Sequence, residues 1–173
     1  MLLRVISKPV TQPVSVDQLK EYIHLDCDSQ DELLKQLIIT ATQFCQQYQH
    51  RAYMKQTLEL SCTAEKIIEL PRSEYLGDIK SVLLDGQSVS GYTVISDLNS
   101  KIEFSSEIHG QLKVQYETGL EKPDDVDDDV KLAIMMLACH WFENRSAVAA
   151  NDTPHEMPIG VKSLLEPGQV VTL

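Results

Sequence analysis

The richest concentration of potential chemistry is six acids in one short stretch: Glu121, Asp124, Asp125, Asp127, Asp128 and Asp129, offset only by Lys122. Carboxylate oxygens suit Ca²⁺ or Mg²⁺, so one reading is a metal-dependent enzyme that uses Asp124–Asp129 with His140. The spacing lacks the alternating acids of an EF-hand loop, and no glycine sits at the bend. The competing reading is that these acids open a helix, where the positive end of the helix dipole favours them. The same charge also suits a surface facing a neighbour or a channel. His24 with Cys27, Cys45 with His50, and the adjacent Cys139 and His140 are the other candidate pairs. None is joined by a second pair at zinc-ligand spacing, and none has an orienting acid at a recognisable distance. Phosphate-binding, dinucleotide-binding, hydrolase-elbow and zinc-protease motifs are all missing. No catalytic residue, metal ligand or cofactor is assigned on this basis.

Composition narrows the field further. The chain has 173 residues and a formal charge of −11, from 15 Lys and Arg against 26 Asp and Glu. With 43% hydrophobic and 24% charged residues it reads as a globular protein. Such acidity argues against a surface that wraps nucleic acid, because phosphate binding needs Lys and Arg to displace counterions. It does not argue against a surface that nucleic acid merely passes. The four cysteines are scattered, which suggests free thiols in a reducing compartment. The opening residues lack the apolar core of a signal peptide, and the longest apolar run, 132–139, is too short to span a bilayer. A soluble, intracellular protein with no membrane partner is expected.

The elements that position these residues follow from hydrophobic period. Ser15 and Gln18 form a capping box that opens a short helix ending near Ile23. Ser29 to Glu32 reads as a second box, after which Leu33, Leu34, Leu37, Ile38, Ala41, Phe44, Cys45 and Tyr48 mark one helix face. Between residues 53 and 118 the period becomes two. Strands are expected at 56–62, 67–70, 79–82, 92–95, 101–104 and 111–116, with a tight turn at Asp85-Gly86. Helical spacing returns after Pro123, along Val126, Val130, Ala133, Ile134, Leu137 and Trp141. The tail beyond Asn144 is expected to be mostly extended, with one or two helical turns over 159–165. The fold class is therefore α+β. A helical platform of three main helices drawn from both chain ends carries an inserted small antiparallel β module. The expected parts are 1–52 (helical), 53–118 (β-rich) and 119–173 (long helix and tail).

Two features point to assembly. The second helix has no charged residue between Lys35 and Arg51, and its polar face is expected to be Gln36, Thr40, Gln43, Gln46, Gln47 and Gln49. Charge depletion marks interface cores, although a plain solvated glutamine face has the same composition. The third helix is apolar on nearly all sides and must be covered on nearly all sides, by the β module and tail or by a neighbouring subunit.

At three places the residues resemble the phage head-tail connector family, also called adaptor or head-completion proteins. These are 14–23 (VSVDQLKEYI), the second helix from Asp31 through Tyr48 to Arg51, and 130–145 (VKLAIMMLACHWFENR) followed by 157–165 (MPIGVKSLL). The family's third helix typically ends in a similar His-Trp-aromatic-Glu-Asn-Arg sequence. The β region departs from the shortest, all-helical members and resembles longer phage and prophage members with a strand-rich insertion. The resemblance implies a non-enzymatic ring of about twelve subunits docked beneath the portal protein. Such a ring extends the DNA channel, with DNA as passing cargo, and offers tail or stopper proteins a docking surface. It also implies assembly in the bacterial host cytoplasm and residence in the virion neck. A tail-side neck or completion protein is the nearest alternative. Expected contact residues are Gln36, Gln43 and Gln47, then Trp141, Phe142, Glu143 and Arg145, then Pro158, Ile159, Val161, Leu164 and Leu165. Asp124, Asp125, Asp127, Asp128 and Asp129 are expected to line the channel or open the third helix.

Overall fold

The computed structural model describes residues 1–96, 99–144 and 158–170. The elements run β1 (Leu2–Ser7), α1 (Val16–Tyr22), α2 (Asp31–Gln49), β2 (Gln56–Thr63), β3 (Ile67–Glu69), β4 (Leu76–Leu84), β5 (Gln87–Ser88), β6 (Tyr92–Ile95), β7 (Lys101–Phe104), β8 (Gln111–Thr118), α3 (Asp128–Glu143) and α4 (Ile159–Leu165). The fold is mixed α+β, and the chain divides into two units. One combines 1–11, 50–121 and 170–173; the other combines 12–49 and 122–169.

The β unit holds two antiparallel sheets, ordered β1-β2-β8-β4-β5 and β3-β7-β6. Alternation in β2 and β8 sends Leu58, Leu60, Leu112, Val114 and Tyr116 into a shared core with Ile68, Val82, Ile102 and Phe104. Asp85 and Gly86, both at positive φ, make the tight turn between β4 and β5. Gly119 is the glycine that geometry requires: φ is +99°, and an added Cβ would lie 2.3 Å from the Met54 carbonyl oxygen. Buried Arg51 pairs with Glu74 and donates to the Tyr75 hydroxyl at 3.0 Å. The first strand is the element that sequence reading misses. Residues 2–7 belong with the β unit, where β1 pairs β2 from Leu2↔Ser61 to Ser7↔Thr57. Five of its six residues are exposed or nearly so, leaving little periodic burial to betray it.

In the helical unit, the first capping box forms as expected. Gln18 N–H donates to Ser15 Oγ at 3.1 Å, and Ser15 N–H donates to Gln18 Oε1 at 2.8 Å. The second box is displaced. The Leu34 N–H bonds the Gln30 carbonyl, so Gln30 rather than Ser29 stands at the cap position, and Ser29 Oγ lies 3.3 Å from Cys27 Sγ. Lys20 instead ties the helices together, donating to Asp28 and to Asp31 at 3.1 Å. Those two carboxylates, Asp28 foremost, hold its ammonium above the usual lysine range. α3 packs against α1, α2 and α4, burying Val130, Ala133, Ile134, Leu137 and Ala138. The expected helical turns at 159–165 are present as α4, whose Val161 and Leu165 are fully buried. Much of the cover for α3 thus comes from helices of its own unit.

Candidate partner-contact surfaces

The acid run lies at the start of α3. Asp124 and Asp125 fall in a short 3-10 turn, Asp127 stands at the N-cap, and Asp128 and Asp129 occupy the first helical turn. All five are exposed. Lys131 folds back over them, its Nζ 3.1 Å from the Asp124 carbonyl oxygen and 3.4 Å from Asp128 Oδ1. Acids at that end of α3 lie where the positive end of its dipole favours them. Among the described residues, no three His, Cys, Asp or Glu side chains come together as a metal site. His140 lies twelve residues along the same helix from Asp128, about 18 Å away at 1.5 Å per residue. The metal reading that joined them is therefore corrected by the length of α3.

On α2, Gln36, Gln43 and Gln47 are exposed with Thr40, forming an uncharged stripe. Gln46 and Gln49, expected on the same face, are buried. Gln49 Nε2 donates to the Leu165 carbonyl at 2.7 Å, joining the end of α2 to the end of α4. A glutamine can serve either face, and type alone does not distinguish the solvated from the buried positions. Cys45 also points inward, and burial pushes its thiol up to about 12. It is an inert packing residue, as its place on the apolar face suggested.

At the end of α3, Trp141 and Phe142 are half-buried, with the Trp141 ring edge-on to Phe44 at 6.1 Å. Glu143 is exposed, while Arg145 lies outside the described residues. Asn144 closes the helix, its N–H donating to the His140 carbonyl at 3.0 Å and its Nδ2 to the same oxygen at 2.8 Å. The α4 residues divide sharply. Val161 and Leu165 are committed to the unit's own core, Pro158 and Leu164 are half-buried, and Ile159 is 85% exposed. Sequence reading passes over one further place, a cleft in the β unit lined by His50 and Arg72. Its walls come from separated segments, so no spacing signals it.

No helix among the described residues is long and apolar enough to cross a membrane. The whole chain is similar to a chain in the neck of an empty gene transfer agent particle solved with C6 symmetry, at TM-score 0.82 and 19% identity. It is also similar to a chain in the virion of the native gene transfer agent particle, at TM-score 0.80 and 18% identity. A chain in the neck of the native particle solved with C12 symmetry gives 0.77 and 17%. Each likeness covers 100% of this chain and 97% of the other. No curated protein matches the sequence. The family described as "Head completion protein" matches residues 13–152, most of the chain, including α1, α2, the β-rich segment and α3. On that match the chain belongs to the head completion protein family, and is a structural protein of the virion rather than an enzyme.

Proposed function

We propose that the chain is one subunit of a homo-oligomeric ring of about twelve copies, seated in the virion neck beneath the portal protein. The helical unit serves as the ring's platform, with α1, α2 and α3 as its main helices. The ring continues the DNA channel and offers tail or stopper proteins a surface to assemble on. The observation that carries the reading is the family match over 13–152, supported by the whole-chain likeness to chains of gene transfer agent necks. A net charge of −11 supports passage without adhesion: on a wall carrying Asp124, Asp125, Asp127, Asp128 and Asp129, acids outnumber Lys122 and Lys131 and repel phosphates. The uncharged stripe of Gln36, Gln43 and Gln47 is suited to a subunit contact. Glu143 and Arg145 are proposed to pair across subunits, and exposed Ile159, beside Pro158 and Leu164, to meet a docking partner. No cofactor and no membrane enter this role, and assembly takes place in the host cytoplasm.

The test is molecular mass by light scattering over a wide concentration range, with negative-stain imaging and a pull-down against portal and tail proteins. Rings with a central hole, or retention by the portal protein, are expected. A monomer at every concentration that the portal protein does not retain would overturn the reading. Retention by tail components alone would transfer the role to the tail side of the neck.

A further inference from the structure

The β unit contains a cleft of about 620 Å³ that the ring reading does not use. Two sheet edges flank it. β1 ends the five-stranded sheet and β3 ends the three-stranded one, and among the described residues each has a strand on one side only. Leu3 of the first edge, with Met1 just before it, and Ile67, Ile68 and Glu69 of the second line the cleft, with Leu60 and Leu70 as apolar wall. Unpaired backbone donors and acceptors along such edges accept an added strand.

Arg72 makes the cleft chemically specific. It lines the cleft and is half-buried, and among the described residues its guanidinium makes no hydrogen bond or ion pair. Burial lowers its pKa, and the groups that act on it electrostatically are the phenols of Tyr116 and Tyr53. Burial holds the Tyr116 phenol above its usual range, hence neutral. A partly desolvated cation with no acid hydrogen-bonded to it among the described residues is costly unless something supplies the anion. The backbone there is also held in an unfavourable conformation: Arg72 has φ +59° and His50, in the same cleft, φ +56°. Such strain persists only where surrounding structure enforces it. Here the Tyr116 hydroxyl donates to the Pro71 carbonyl at 2.6 Å and the Thr118 hydroxyl to the Arg72 carbonyl at 2.7 Å.

We infer that this cleft binds an extended polypeptide segment of a partner protein, one that combines a carboxylate for Arg72 with an aliphatic side chain for the wall. Guanidinium and carboxylate are matched for bidentate pairing. Glu65 and Glu69 line the same cleft, Glu69 paired with Lys101 at 2.9 Å, so the rim admits one carboxylate placed at Arg72 and disfavours a nucleic-acid backbone, which brings a row of charges. The inference goes beyond the ring reading and does not depend on it, since a single chain carries the whole cleft.

The test is an NMR titration of the full-length protein with acetyl-Val-Asp-Val-amide and with its isostere acetyl-Val-Asn-Val-amide, to about 10 mM so that millimolar binding is caught. The Asp peptide is expected to shift the amides of Leu3, Ile68 and Arg72, and the Asn peptide to bind at least tenfold more weakly. Arg72→Gln is expected to lose the preference for Asp while melting no lower than the parent, because it removes an unpaired cation. If that variant does not fold, Arg72→Lys, which keeps charge but not the bidentate fork, is expected to weaken Asp-peptide binding while preserving the shift pattern. Equal binding of the two peptides, no shift with either, or displacement of the Asp peptide by inorganic phosphate would overturn the inference.

Discussion

The Arg51–Glu74 pair shows how a sequence-similar residue earns a structural rather than a surface role. Arg51 is 6% exposed and satisfied by Glu74 and the Tyr75 hydroxyl, with its guanidinium 5.8 Å from the Tyr75 ring centroid. Arg51→Met leaves Glu74 without its partner, and a loss of about 3 kcal/mol is expected in urea unfolding. Cys45 supplies a pH-dependent test. Its thiol is raised from an ordinary 9.0 to about 12 by burial, so folding favours the protonated form. That contribution is complete below pH 9 and fades as pH rises from there towards 12. Exposed Cys27 should therefore react with a thiol reagent at pH 8 in the native protein, and Cys45 only after unfolding. Equal rates for the two would contradict the packing role of Cys45.

At the scale of elements, capping chemistry was readable where the side-chain bonds close locally, as at Ser15 and Gln18. Ser15→Ala should cost about 1 kcal/mol, measured by denaturant midpoint. The displaced start of α2 has a different origin. Lys20 engages Asp28 and Asp31 from a separate helix, and such contacts between helices do not show in the local Ser-x-x-Glu pattern. α4 is the more consequential element. With Val161 and Leu165 fully buried against the unit, it is part of the folded core and not a free docking strand. Leu165→Ala should cost about 2–5 kcal/mol, whereas Ile159→Ala, at an exposed position, should leave the melting temperature nearly unchanged. If both substitutions are neutral, α4 is not packed as described.

For the whole molecule, the question is which uncharged surface meets another subunit. The proposed stripe on α2 is tested by Gln43→Glu with Gln47→Glu. Both positions are exposed, so thermal stability should be preserved, while mass by light scattering should fall towards that of single chains. Unchanged assembly would identify the stripe as a solvated face. The acid run gives an independent check, because α3 separates Asp128 from His140 by about 18 Å. Calorimetric titration with Mg²⁺ or Ca²⁺ should show no tight site.

Helix faces, strand alternation, the Asp85-Gly86 turn and the acid-led start of α3 were legible because each depends on residues close in sequence, at periods of 3.6 or 2. The His-Trp-Phe-Glu-Asn-Arg sequence of residues 140–145 also carried the family resemblance in a contiguous run. What the linear order concealed were pairings made at a distance. β1 is defined by hydrogen bonds to β2 some fifty residues on, and its exposed side chains offer no pattern. Gln49 can be buried because the carbonyl of Leu165, far along the chain, accepts a hydrogen bond from its amide. The Arg72 cleft exists because two sheets end beside each other, around a cation that pairs with no acid among the described residues. Periodicity records which side of an element faces inward. Which element it then meets, and which buried polar group finds or lacks a partner, follows only from how distant segments pack.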